Sequence, residues 1–143
     1  ILDTPPILDY IFKYFENDEK RELTNYLPQI KVTGCPNSCA TPQIARLGFS
    51  GRRKKDGEYF AIFARGEFSG KTVKLNENLG EIKANKIPYF LEDIANIIKN
   101  ENTEFEKFAN EDRFLGLIED YKEIEVENVD FNEFRKIDAK KAW

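Results

Sequence analysis

The chain has 143 residues, with 26 acidic and 22 basic side chains for a net charge of −4; that is one domain's worth, enough to bury roughly two thirds of the unfolded surface. With 34% charged and 13% aromatic residues it reads as a folded globular protein and not a disordered one, and its acidic balance gives no electrostatic reason to expect nucleic acid. The chain has no histidine, which excludes Ser-His-Asp and Cys-His nucleophile systems, His-ligated zinc and a histidine haem ligand. No apolar run approaches the roughly 18 residues of a membrane span, and the N-terminus lacks the basic-then-apolar order of a signal peptide, so no membrane partner and a cytoplasmic setting are expected. A chain that starts at Ile1 and contains no methionine is expected to be a piece of something longer.

In chain order, Thr4-Pro5-Pro6 starts a helix in which Leu8, Ile11, Phe12 and Phe15 share a face, and Leu23, Tyr26 and Leu27 form a second short helical pattern closed by Pro28. Ile30 and Val32 make a short strand. Apolar alternation from Ala45 through Leu47 and Phe49 predicts a half-buried strand, followed by a charged turn, Gly51-Arg52-Arg53-Lys54-Lys55-Asp56-Gly57. Tyr59 to Ala64 is apolar at nearly every position and so belongs in the middle of an antiparallel sheet. Thr72 to Leu75 and Gly80 to Lys83 are weaker strands. Pro88 opens a helix with Leu91, Ile94, Ile97 and Ile98 on one face, and Phe105, Phe108, Leu115, Ile118 and Tyr121 continue helical spacing to about Lys122. These stripes are core faces. The fold class is therefore α+β: an antiparallel sheet of about four to five strands, with helices before it and a helical C-terminal part. Residues 1–122 form the folded unit and 123–143 a partly ordered tail.

The two cysteines lie in Thr33-Gly34-Cys35-Pro36-Asn37-Ser38-Cys39-Ala40. Cys35 falls where a strand ends, and Pro36 suits the first position of a helix. Both sulfurs would then sit near free amides and a positive helix end, which favours the thiolate that binds metal. Two ligands are too few for a zinc site, the Cys-x3-Cys-x2-Cys cluster pattern fails at Pro42, and a regulatory disulfide over this spacing is geometrically allowed. Gly66-Glu67-Phe68-Ser69-Gly70-Lys71-Thr72 imitates a phosphate loop but has three residues between its glycines instead of four, and strand follows it, so it reads as a hairpin turn. Arg52, Arg53, Lys54 and Lys55 read either as a solvated loop tip or as a patch for carboxylates or a small oxyanion.

The wider motif, with Gln43-Ile44-Ala45-Arg46-Leu47-Gly48-Phe49-Ser50-Gly51 after the cysteines, resembles the second cysteine pair of the sirohaem-dependent sulfite and nitrite reductases. The resemblance covers roughly residues 30–100. It implies the C-terminal half-domain that binds a [4Fe–4S] cluster coupled to sirohaem, with Cys35 and Cys39 as metal ligands and the Cys39 sulfur also bridging to the sirohaem iron. Arg46, Arg52, Arg53 and Lys54 are the basic candidates for the cofactor's carboxylates and for the substrate anion; no catalytic residue is assigned. A cubane needs four thiolates, and the family's other pair, Cys-x5-Cys, would fall at or just before Ile1, so both cofactors need residues outside this chain. The resemblance further implies sulfite or nitrite as substrate, ferredoxin or a similar electron donor, and the remainder of the reductase as partner. The isolated chain is expected to be colourless and inactive. Two alternatives stay open: a degenerate, non-catalytic interaction module of the same fold, and a thiol switch formed by Cys35 and Cys39.

Overall fold

A computed structural model describes residues 4–34, 44–67 and 73–131. Helices α1 (Thr4–Tyr14) and α2 (Asp18–Leu23), the latter followed by a 3-10 turn at Thr24–Tyr26, lead into strand β1 (Ile30–Thr33). Strands β2 (Leu47–Lys54), β3 (Gly57–Ala64) and β4 (Glu77–Lys83) follow. Helices α3 (Ile87–Glu101), α4 (Phe105–Ala109) and α5 (Asp112–Glu123) complete the order. Among the described residues no helix is long and apolar enough to cross a membrane.

The four strands form one sheet in the order β1-β2-β3-β4. The α+β class and the strand number stand, with one correction to the expected antiparallel sheet. β1 runs parallel to β2, from Ile30 opposite Leu47 to Thr33 opposite Ser50, while β2–β3 and β3–β4 are antiparallel, so the sheet is mixed. A tight turn joins β2 to β3, but 13 residues separate the ends of β1 and β2, long enough to carry the chain back for a parallel start. The charged turn is also shorter than expected. Arg52, Arg53 and Lys54 belong to β2, and only Lys55 and Asp56 turn the chain.

One face of the sheet carries the core. Phe49 and Phe60 meet edge to face at 6.2 Å and Phe49 meets Phe90 of α3 at 6.5 Å; Phe90 continues to Phe114 at 5.9 Å and Tyr121 at 5.8 Å on α5. Such offset rings add to what their burial contributes. α1 packs on the same face through Ile7 and Ile11, with Phe15 just beyond its end, while Phe12, placed on the core stripe from its spacing, is 68% exposed. The expected helical run from Phe105 to Tyr121 is two helices that break at Asn110 and Glu111, and Phe114 is the buried residue there instead of its neighbour Leu115. α5 crosses β4 at Gly80, whose φ is +139° and where a Cβ would stand 3.1 Å from Ile118 Cγ2; glycine permits both the backbone and the approach.

Polar contacts settle the helix ends. α3 has Pro88 in its first turn and ends at Asn102 in the left-handed conformation, φ 50°, which the short polar side chain tolerates. Lys86 is 3% exposed and its Nζ donates to the Tyr121 carbonyl at 2.7 Å, a cation set against the negative end of α5. Burial lowers its pKa below the usual lysine range. Beyond α5, the Glu127 carbonyl accepts from Asn85 Nδ2 and Phe131 packs on Tyr10.

Candidate functional site

Cys35 and Cys39 lie outside the described residues, as do the Pro36 helix start, residues 68–72 of the glycine-bounded hairpin, and residues 132–143. What the structure gives is the frame that holds the two ends of the cysteine-bearing stretch. Because β1 and β2 are parallel, the chain leaves the sheet after Thr33, beside Ser50, and rejoins it at Leu47, beside Ile30. The rejoining end is tied three times in succession. The Ala45 carbonyl accepts from Asn76 Nδ2, Arg46 Nε lies 2.6 Å from Glu106 Oε1, and the Leu47 N–H donates to the Gln29 carbonyl at 3.2 Å.

A cleft of about 670 Å³ opens beside this end, walled by Gln29, Ile44, Arg46, Arg65, Glu67 and Glu106 among others. Arg65 follows β3 with φ 75°, an uncommon conformation for a residue with a Cβ. Its guanidinium donates to the Ala109 carbonyl at 2.6 Å and the Glu111 carbonyl at 3.1 Å, so it clasps the break between α4 and α5, where the Glu111 carbonyl also accepts from the Phe114 N–H at 3.1 Å. Three carboxylates, of Glu67, Glu104 and Glu106, face two guanidiniums in the cleft wall. The cleft on its own is therefore no cradle for a polyanion.

The four basic candidates are not brought together. Arg46 stands before the start of β2, and Arg52, Arg53 and Lys54 at its far end, six or more residues on, a separation of roughly 20 Å along a strand. Arg53 pairs with Glu58 at 3.1 Å on the helix-covered face. Arg52 and Lys54 point to the opposite face, where Arg52 reaches the Gly51 carbonyl at 3.4 Å and Lys54 pairs with Glu81 and lies 4.8 Å from the centre of the Tyr59 ring. Strand alternation puts Lys31 of β1 and Lys83 of β4 on that same face. Spacing in the sequence missed both, because only the register of β1 and β4 aligns them with Arg52. The Tyr59 hydroxyl donates to Asp56 Oδ2 at 2.6 Å, which lowers the Asp56 pKa and, as the first cause, raises that of Tyr59 to about 12. Asn76 and Arg65, which shape the frame, were likewise invisible: no motif or periodicity marks a lone asparagine between strands.

The model of the nitrite and sulphite reductase 4Fe-4S domain matches residues 1–122. The chain belongs to that family. Within it, the chain is 33% identical over 70 residues to the chloroplastic ferredoxin–nitrite reductase of Zea mays, covering 49% of this chain and 12% of the relative. It is 32% identical over 98 residues to the sulfite reductase [NADPH] hemoprotein beta-component of Staphylococcus saprophyticus, covering 66% and 16%. With the same component of Nitrobacter winogradskyi it shares 45% over 54 residues, covering 36% and 9%. The chain thus spans at most about a sixth of the length of these relatives. No solved structure matches it to significance.

A 4Fe-4S domain takes thiolate ligands, and the donor chemistry of this one fits in kind and falls short in number. The chain has two cysteines and no histidine, and among the described residues no group of three or more His, Cys, Asp or Glu gathers to hold a metal. The two cysteines between β1 and β2 in the sequence would supply half of a cubane's four ligands.

Proposed function

We propose that this chain is the iron–sulfur and sirohaem half-domain of a longer reductase that converts sulfite or nitrite by six electrons, drawing on ferredoxin or a similar carrier in the cytoplasm. Cys35 and Cys39 would hold the cluster, Cys39 on the side of the sirohaem, and the other two thiolates would come from a part of the polypeptide outside these residues. The two groups, when bound, would supply an iron site for the oxyanion and a store of electrons beside it.

The chain's own residues supply holding and charge. The β1–β2 ladder and the ties at Ala45, Arg46 and Leu47 keep the two ends of the cysteine stretch at fixed places on a rigid sheet, as a preorganised ligand set needs. Arg52, on the face away from the helices, would meet carboxylates that approach the end of β1; Arg46, Arg53 and Lys54 would contribute only by exchanging their glutamate partners for the cofactor. The observation that carries this reading is the family match across residues 1–122, with the cysteine pair inside it.

The test is expression of the chain with its upstream sequence, loading with iron, sulfide and sirohaem, and recording of the visible spectrum. We expect both chromophores to be taken up, Cys35→Ser and Cys39→Ser each to abolish the cluster bands, and the present chain alone to stay colourless and inactive. An extended polypeptide that carries the upstream Cys-x5-Cys pair yet takes up neither chromophore refutes the reading.

A further inference from the structure

Strand β1 is an edge of the sheet, with β2 on one side and no strand of the described residues on the other. The Leu47 N–H donates to the Gln29 carbonyl, so the parallel ladder takes alternate residues from Gln29 onward and turns the N–H and C=O of Ile30 and Val32 outward. Beside that edge the helices do not close over the core. A groove of about 150 Å³ is walled by Leu8, Ile11 and Phe12 of α1 and by Ile30 and Val32, and it reaches the ring of Phe49, which is buried. A hollow of this size lined by such side chains stays dry and takes one ring-sized apolar group. Phe12, the exposed member of the α1 stripe, stands in its wall. On the other face of β1, between the two outward residues, Lys31 is exposed and pairs with no carboxylate among the described residues.

We infer that this edge and groove receive an extended segment of the same longer polypeptide, which adds to β1 as a strand; the inference rests on the part of the reading above that makes the chain a piece of a larger reductase. Backbone and side chains ask for one kind of occupant. The outward groups of Ile30 and Val32 bond a strand. Strand alternation then sets apolar side chains of that segment over the groove and puts the residue between them beside Lys31, where a carboxylate fits. A second copy of this chain is the poorer occupant. Two β1 edges pairing antiparallel through Ile30 and Val32 would set Lys31 of one copy directly opposite Lys31 of the other, and like charges so placed repel. The chain spans at most about a sixth of its relatives' length, which leaves ample polypeptide for the segment, and a tethered segment stays docked on few contacts because its effective concentration is high.

Hydrogen exchange at the Ile30 and Val32 amides, read residue by residue by mass spectrometry, tests this in the full-length polypeptide and in the present chain. Both amides are expected to exchange on the order of a hundredfold more slowly in the full-length polypeptide. Phe12→Asp and Lys31→Glu are each expected to speed that exchange about tenfold, while neither changes the rates or the melting temperature of the present chain, where both side chains are exposed. Equal rates in the two polypeptides overturn the inference and leave Lys31 as the guard of an open edge. Protection that neither variant weakens overturns it as well. So does protection already present in this chain, through the chain's own residues if dilution leaves it unchanged and through a second copy if dilution removes it. The visible spectrum of the same full-length sample, loaded with iron, sulfide and sirohaem, separates this inference from the cofactor reading. Chromophores with unprotected amides remove only the inference; protected amides without chromophores refute the reductase reading and leave the docked strand standing.

Discussion

The helix-covered face of the sheet and the end that pins the cysteine stretch are held by different physics. The first is a continuous apolar core in which Phe49, Phe60, Phe90 and Phe114 are each at most 1% exposed and touch one another. The second rests on a few polar groups: one asparagine between two loops, one arginine–glutamate pair, and one arginine capping two carbonyls. Stability in the core is spread over many non-directional contacts, so no single one specifies the geometry. At the pinned end each bond has a direction and a partner, so a single substitution there moves a position while costing the whole fold less.

Phe90→Ala should break this contrast hardest from the core side. Phe90 is 0% exposed and is the ring that links Phe49 of the sheet to Phe114 and Tyr121 of α5, so truncation is expected to cost about 3–5 kcal/mol. Urea denaturation would measure it, and a loss below the cost of a surface change would mean that the core does not close around this ring.

Alkaline titration sharpens the comparison next. Burial, ahead of any neighbouring charge, raises the pKa values of Tyr10, Tyr14 and Tyr121. The folded state therefore keeps its phenols protonated where the unfolded chain, titrating near pH 10, gives its protons up. Stability from these groups is complete below about pH 10 and is lost as pH climbs further. Tyr121, whose hydroxyl donates to Asp93, should show this most directly: Tyr121→Phe is expected to flatten the fall of the urea midpoint above pH 10, and an unchanged slope would show that the phenol is not shielded in the fold.

The smallest effect belongs to Arg113→Ala. Its guanidinium bridges both oxygens of Glu101 at 2.8 Å and also reaches Glu111 at 2.8 Å, which lowers the Glu101 pKa and raises that of the arginine. The side chain is 53% exposed, and solvent screens such a pair so that it holds little of the fold's stability. A shift of the melting temperature that vanishes in high salt is the expected result.

Periodicity made the core legible, with particular failures. Ile94 and Ile98 of α3, Phe60 and Ile62 of β3, and Phe105, Phe108, Ile118 and Tyr121 were placed correctly, since a helix or strand that buries one face repeats its apolar residues at its own period. Phe12 fell on that stripe and yet lies outside, and Phe114 was passed over for Leu115. A wide apolar stripe leaves its border residues undecided until a neighbouring element packs against them. Of the basic candidates, the sequence showed the residues but not their partners. Glu106, Glu58 and Glu81 approach Arg46, Arg53 and Lys54 from other elements.

By itself the sequence determined the α+β class, the central place of Tyr59 to Ala64, and the cysteine motif with its reductase resemblance, because each is written in local pattern or contiguous letters. Tertiary structure alone decided that β1 runs parallel to β2, that Lys31 and Lys83 share a face with Arg52, and that Asn76 ties Ala45 to Gly66. Those facts depend on which distant backbone lies alongside which, and hydrogen bonds between segments 10 and 31 residues apart leave no periodic trace in either one.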